Sequence, residues 1–240
     1  MSKVYLNVPY YEKDEVKALG GRWDASEKKW YFNGDTKYLY KFKAWMSKAD
    51  ILAYDEIYII EGHRKCHHCH QTTTVVGIGI SLHSNIYLED EKYIVEHYLD
   101  EDEKTFDDTI HLAWFDKEDD VPPYLLNILK SKYNVKSVFS KTQNEITFAN
   151  CCEHCGALQG NYFLFSECSP LTTDAEGQEL INRMEQLTIY TINTDYALPL
   201  KIDLSYCDND WAYREYCHFD YSDNDYVSYG DMYNDSKPKK

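Results

Sequence analysis

Two C-x-x-C pairs constrain this chain more than any other feature: Cys66-His67-His68-Cys69 and Cys152-Glu153-His154-Cys155. Thiolates two residues apart turn onto one cation when the backbone between them makes a tight knuckle. Two such knuckles complete tetrahedral Cys₄ coordination that is closed to solvent and therefore structural. The expectation is one structural Zn²⁺ on Cys66, Cys69, Cys152 and Cys155, with Gly156 allowing a sharp exit from the second pair. Because 82 residues separate Cys69 from Cys152, the insertion must fold back, which paired strands would achieve.

Alternatives remain open at this point. Cys151 could replace Cys152, and His63, His67, His68 and His70 crowd the first knuckle enough for a mixed Cys/His site. The cysteines could also be buried free thiols. Glu153 inside the second knuckle could act as a base beside a catalytic zinc, but the H-x-E and P-C-x-x-C signatures of zinc deaminases are missing. Cys168, Cys207 and Cys217 have no spacing that marks a site. No nucleophile elbow, glycine-rich loop or phosphate-binding run occurs, so the chain reads as non-enzymatic.

Charge divides the 240 residues into zones. The net charge is -16, yet residues 1–49 hold 10 Lys/Arg against 6 Asp/Glu. Residues 89–120 hold 14 acidic and 3 basic side chains, and residues 203–235 hold 9 and 1. Polyanion binding needs cations that displace counterions, which suits the first zone and not the whole. The expected organisation is a basic module over 1–47, a body over 50–203 and an acidic, Tyr-rich tail over 204–240. With no apolar run for a signal peptide or a membrane span, the expected location is the cytoplasm, with no membrane partner. There, cysteines serve more often as metal ligands and free thiols than as disulfides.

The module reads as a strand over 4–8, a short helix over 12–19 stopped by Gly20-Gly21, two aromatic strands around the turn 25–28, and a helix over 38–46. In the body, 56–60, 72–80, 110–115, 145–149, 161–165 and 187–192 are strand-like. Pro122-Pro123 opens one helix, and Thr173-x-x-Glu176 resembles a capping box for another. The fold class is α+β: a small β/α module, then a strand-rich, zinc-ribbon-like body with two or three helices.

VYLNVPYYEKDEVKALGGRWDASEKKWYF resembles a small uncharacterised domain appended to plasmid and phage primases and other mobile-element proteins. Its pattern is met at Leu6 to Pro9, Glu12 to Asp14, Lys17 to Gly20, Arg22 to Asp24, Trp30 and Tyr31, with Gly21 where Ala is frequent. From about Ile57 to Ile202 the chain resembles a bacterial zinc-knuckle module. The matches are Cys66, Cys69, Thr73, Val75, Val76, Ala149, Asn150, Cys152, Cys155 to Ala157, Gln159, Gly160 and Leu164, with Glu153 in place of the usual Pro. The likeness favours Cys152 over Cys151 and implies an association with DNA transactions, without catalytic residues.

Two functions follow. In the first, a non-enzymatic zinc-binding accessory protein of mobile elements or phage touches DNA or RNA through Lys13, Lys17, Arg22, Lys28 and Lys29, interleaved with Trp23 and Trp30, as single-strand binders do. The competing reading of Trp23 and Trp30 is a mini-core packed on Tyr5, Leu19 and Phe32. In the second, an acidic protein-binding or inhibitory protein meets a basic partner through Tyr206, Asp208, Asp210, Asp220, Asp223 and Asp225, as a nucleic-acid mimic would. Seven tyrosines from Tyr206 to Tyr233 predict that part of 205–233 is ordered.

Overall fold

The computed structural model describes residues 2–89, 92–97, 109–166 and 169–234, with 87–89, 92–97 and 222–225 described by backbone alone. Cys168 and the acidic stretch 98–108 lie outside the described residues.

The module contains β1 (Val4–Leu6), α1 (Lys13–Ala18), β2 (Arg22–Asp24) and β3 (Lys29–Phe32), in an antiparallel sheet of order β1-β3-β2. Asp14 and Glu15 complement the amino end of α1, and Gly20, at φ 101°, stops the chain beyond it. Where a helix over 38–46 was expected, a 3₁₀ helix runs over Thr36–Phe42. Leu39 and Phe42 are its two buried residues, and their spacing of three matches the 3₁₀ period.

Leu6 lies opposite Trp30, and Trp30 opposite Trp23, so these three share one sheet face, while Tyr5 and Tyr31 share the other. The core on the first face is Val4, Leu6, Val16, Phe32, Leu39, Phe42 and Trp45, and it continues into Leu52, Ile86 and Ala197 of the body. The expected mini-core is borne out for Trp30, which is partly buried and packs against this core with its buried Phe32, and corrected for Trp23, Leu19 and Tyr5. Trp23 stands at the open edge of β2, 52% exposed, and Leu19 is 36% exposed. Tyr5 points the other way, with its ring centroid 4.3 Å from that of Tyr229.

The body begins with β4 (Ile51–Ala53), β5 (Glu56–Lys65), β6 (Thr72–Ile80), β7 (His83–Glu89), β8 (Lys92–His97) and β9 (His111–Trp114). Then come α2 (Pro123–Ser131), β10 (Val135–Ser140), β11 (Glu145–Asn150), α3 (Tyr162–Phe165), α4 (Gly177–Met184), β12 (Thr188–Asn193) and β13 (Leu198–Leu200). The last elements are β14 (Asp203–Ser205), α5 (Ala212–Tyr216), β15 (His218–Tyr226) and α6 (Tyr229–Met232). A six-stranded sheet of order β14-β9-β6-β5-β12-β15 forms the centre, flanked by a four-stranded sheet, β13-β4-β7-β8, and the hairpin β10-β11. The molecule is a strand-rich α+β protein.

Two local expectations are overturned. Where a strand over 161–165 was expected, Tyr162–Phe165 form α3: Tyr162 and Phe163 are exposed while Leu164 and Phe165 are buried, a paired pattern that a period of two cannot produce. Thr173 does not cap α4. Its hydroxyl donates to Asp210 at 2.5 Å, and Glu176 takes the capping position without a side-chain bond.

The segment expected as a tail is built into the sheet. β14 pairs with β9, and β15 runs parallel to β12, with Thr188 opposite His218 and Asn193 opposite Tyr226. Tyr213 and Met232 are fully buried. Part of 205–233 is thus ordered on the body, for the reason its ring content gave: those rings need an apolar surface to cover.

Candidate metal centre

The first knuckle is the turn of the longest hairpin. β5 and β6 pair continuously from Ile57↔Ile80 to Lys65↔Thr72, and Cys66 to Cys69 occupy the turn that follows. Its backbone closes by His70 N–H donating to Cys66 C=O at 3.0 Å and Cys66 N–H donating to Gln71 C=O at 2.9 Å. The second knuckle follows β11 with the same pattern: Gly156 N–H to Cys152 C=O at 2.9 Å and Cys152 N–H to Ala157 C=O at 2.8 Å. His70 at φ 62° and Gly156 at φ 73° occupy equivalent left-handed positions. Two unrelated stretches have reached one backbone solution for presenting paired thiols.

What closes the 82-residue insertion is a set of polar clamps onto β6. The Asn150 amide accepts from Val76 N–H at 2.9 Å and donates to Val76 C=O at 3.0 Å, acting as one more rung of sheet. Glu153 N–H donates to Thr73 Oγ1 at 3.1 Å, and the Glu153 carboxylate accepts from Thr74 N–H at 3.2 Å. From the other side, the Asn134 amide donates to the carbonyls of Cys151 and Cys152 at 3.0 and 2.9 Å.

These contacts bring the four ligand sulfurs within 4.8 Å of one another. Cys66 Sγ lies 3.7 Å from Cys155 Sγ, and Cys69 Sγ lies 3.6 Å from Cys152 Sγ. A tetrahedron with metal–sulfur bonds of about 2.3 Å has sulfur–sulfur edges of about 3.8 Å. The donor set fits a metal ion, and Cys151 is not part of it: its buried thiol faces the Ala149 carbonyl at 3.6 Å. Burial raises the Cys151 thiol pKa.

The surroundings favour negative sulfur at Cys66 and Cys152. Burial pushes the Cys66 thiol up, but the main-chain N–H groups of Cys69 and His68 and the Gln159 amide outweigh it and bring it down to about 5. Gln159 Nε2 lies 3.5 Å from Cys66 Sγ and also donates to the Ala157 carbonyl at 2.8 Å. Cys69 shifts the opposite way, to about 12: the main-chain N–H of Gln71 favours its thiolate, but burial and the three neighbouring thiols prevail. Four sulfurs this close cannot all carry charge unless a cation sits among them.

Sequence reasoning found the four clustered cysteines but not their supports. Thr73, Asn150 and Gln159 stood out only as matches to a pattern, and Asn134 was not singled out. The imidazoles of His63, His67, His68 and His70 are all on exposed residues, outside the sulfur cluster.

The remaining site candidates scatter. Lys17, Arg22, Trp23 and Lys28 are exposed, whereas Lys13, Lys29 and Trp30 are partly covered. Lys13 Nζ lies 3.9 Å from the centroid of the Tyr10 ring, and Lys29 Nζ lies 5.3 Å from that of Tyr229. Tyr10 and Tyr11, at 81% and 82% exposure, are ring faces that were not singled out.

Among the acidic candidates, Asp208 is exposed, Asp220 is half-buried and Tyr206 binds His83 Nε2 through its hydroxyl at 2.9 Å. The side chains of Asp223 and Asp225 lie outside the described residues. Asp210 is a correction. It is 3% exposed, pairs with His111 Nδ1 at 2.7 Å and accepts from Thr173 and from Cys207 N–H. A carboxylate so engaged anchors the chain's own fold and is not offered to a partner.

Fold and site together define a strand-rich α+β protein with a four-cysteine centre able to hold a metal ion. Residues 3–47 match the family described as "Domain of unknown function (DUF5710)". Over 29 residues the chain is 69% identical to a DNA primase TraC of Escherichia coli, covering 12% of this chain and 3% of that protein. A second DNA primase TraC of Escherichia coli is 63% identical over 27 residues, which is 11% of this chain and 2% of the primase. The chain therefore spans only a small fraction of the length of these curated relatives. No solved structure matches it. Among the described residues, no helix is long and apolar enough to cross a membrane.

Proposed function

We propose that this chain is a non-enzymatic accessory protein, folded around one structural zinc ion, that serves the nucleic-acid transactions of mobile elements or phage and contacts DNA or RNA through residues 3–47. The observation that carries the reading is the exposure of Lys17, Arg22 and Lys28 together with a Trp23 ring 52% exposed, in a segment similar to part of a DNA primase. Cations supply affinity for phosphates, and ring faces accept bases without regard to sequence. Zinc is the ion that four thiolates in closed tetrahedral order select, and its role is to tie the two knuckles together.

The test is binding of labelled single-stranded DNA, duplex DNA and RNA by the full chain, with the variant Lys17→Glu/Arg22→Glu/Lys28→Glu alongside. The reading expects affinity that weakens with salt and falls at least tenfold in the variant. Absence of binding to all three at low salt, or equal binding by the variant, would contradict it.

A further inference from the structure

A second place on the molecule has the makings of a polyanion site. α3 carries two neighbouring rings outward, Tyr162 at 65% and Phe163 at 63% exposure, with centroids 5.5 Å apart in an edge-to-face arrangement. Exposed aromatic pairs of this size are unusual unless something covers them.

Their base is rigid. The next two residues, Leu164 and Phe165, are buried, and Phe165 packs edge-to-face on Phe115 at 5.5 Å. The Asn161 amide, one residue before the helix, donates to the Phe115 carbonyl at 2.9 Å and to Asp116 at 2.8 Å. From β5, the Arg64 guanidinium donates to the Phe163 carbonyl at 3.3 Å, which places the rings beside the first knuckle.

Charge indicates what could cover them. In a chain of net charge -16, residues 62–71 contain no Asp or Glu, while they include Arg64, Lys65 and four histidines. Exposed Lys65, His67, His68 and His70 lie at this end of the β5–β6 hairpin. The second knuckle's Glu153 carboxylate accepts from Thr74 N–H. A negatively charged partner meets less repulsion here than along the acidic zones.

We infer that Tyr162 and Phe163, with Arg64, form a second contact surface for single-stranded nucleic acid at the metal-centre end of the molecule. Bases would stack on the two rings while the backbone phosphates meet the Arg64 guanidinium. The surface is independent of residues 3–47.

The experiment uses the zinc-loaded full chain and an iodouracil-substituted oligodeoxythymidylate, photo-crosslinked and mapped by peptide mass spectrometry. Affinity is measured in parallel for Tyr162→Ala/Phe163→Ala and for Arg64→Glu. Crosslinks in the peptide carrying 162–163 are expected. Removing both rings should lower affinity about tenfold or more, since each base-stacking ring contributes roughly that factor, and metal content and unfolding temperature should stay unchanged. Crosslinks confined to residues 10–31, with affinity unaltered in both variants, would overturn this inference and leave the module reading standing. No binding by the parent chain would overturn both.

Discussion

His70 and Gly156 hold the same place in the two knuckles, and only one of them is glycine. A left-handed conformation costs an ordinary L-residue about 1 kcal/mol or more. His70→Gly should therefore raise stability by about 1 kcal/mol, and Gly156→Ala should lower it by a similar amount, in thermal unfolding at fixed zinc. No heavy atom lies within 4 Å of a Cβ built at Gly156, so its cost is conformational alone. Gln159→Leu removes a donor from the Cys66 sulfur and should speed metal loss to a chelator.

Asp24 gives a prediction with a sign in pH. The Ser26 hydroxyl, against the opposing effect of burial and with help from Lys3 and Tyr5, holds its carboxyl well below the usual range. A carboxyl depressed in the fold stabilises above its unfolded value of about 3.9, and that stability is lost as pH falls through the folded value. Lys3 also reaches Asp195 of the body at 3.2 Å, so the module's docking should persist at about pH 4 and loosen below it. Asp24→Asn should flatten that acid limb in a stability–pH curve. A curve with the same slope in parent and variant would remove Asp24 from the account. The cysteine cluster was legible because C-x-x-C spacing is local chemistry. The clamps Asn150 and Thr73 and the sulfur donor Gln159 were not, because their partners lie 74, 80 and 93 residues away.

At the scale of elements, the strands over 56–60 and 72–80 were readable from their β-branched residues, though not their pairing, and α1 from its acidic first turn. α3 was not, since an aromatic-rich run of five fits strand and buried helix alike until burial is known. Thr173 failed as a cap for a different reason: a buried carboxylate far along the chain outcompeted the local N–H groups for its hydroxyl. Asn150 joins β11 to β6 by two hydrogen bonds inside the protein. Asn150→Ala should cost about 2 kcal/mol by leaving Val76 unpaired, seen as a lower denaturant midpoint together with weaker metal retention. A lower midpoint with metal retention unchanged would separate the clamp from the site.

For the whole molecule, the acidic terminal segment is a structural part and not an appendage. β15 completes the central sheet, Asp210 anchors the turn before α5 on His111, and Tyr229 packs on Tyr5 of the module and Tyr196 of the body. Module, body and terminal segment therefore meet around one set of rings. Composition separated these zones by charge, but charge describes the surface, and the packing of Tyr5, Tyr196 and Tyr229 runs beneath it. Asp210→Ala should lower global stability by about 3 kcal/mol, because it strips a buried group of its partner. In hydrogen exchange, the amides of β12 should then lose protection along with those of β15.

The central claim is that one metal ion joins two knuckles separated by 82 residues. Native mass spectrometry of protein purified without added metal tests it most directly. The account predicts a mass increment of one zinc per chain, lost in Cys66→Ser and in Cys155→Ser and retained in Cys151→Ser and Cys217→Ser. A chain that is folded and metal-free, or one that keeps its zinc with Cys66 and Cys152 both replaced by Ser, would contradict it.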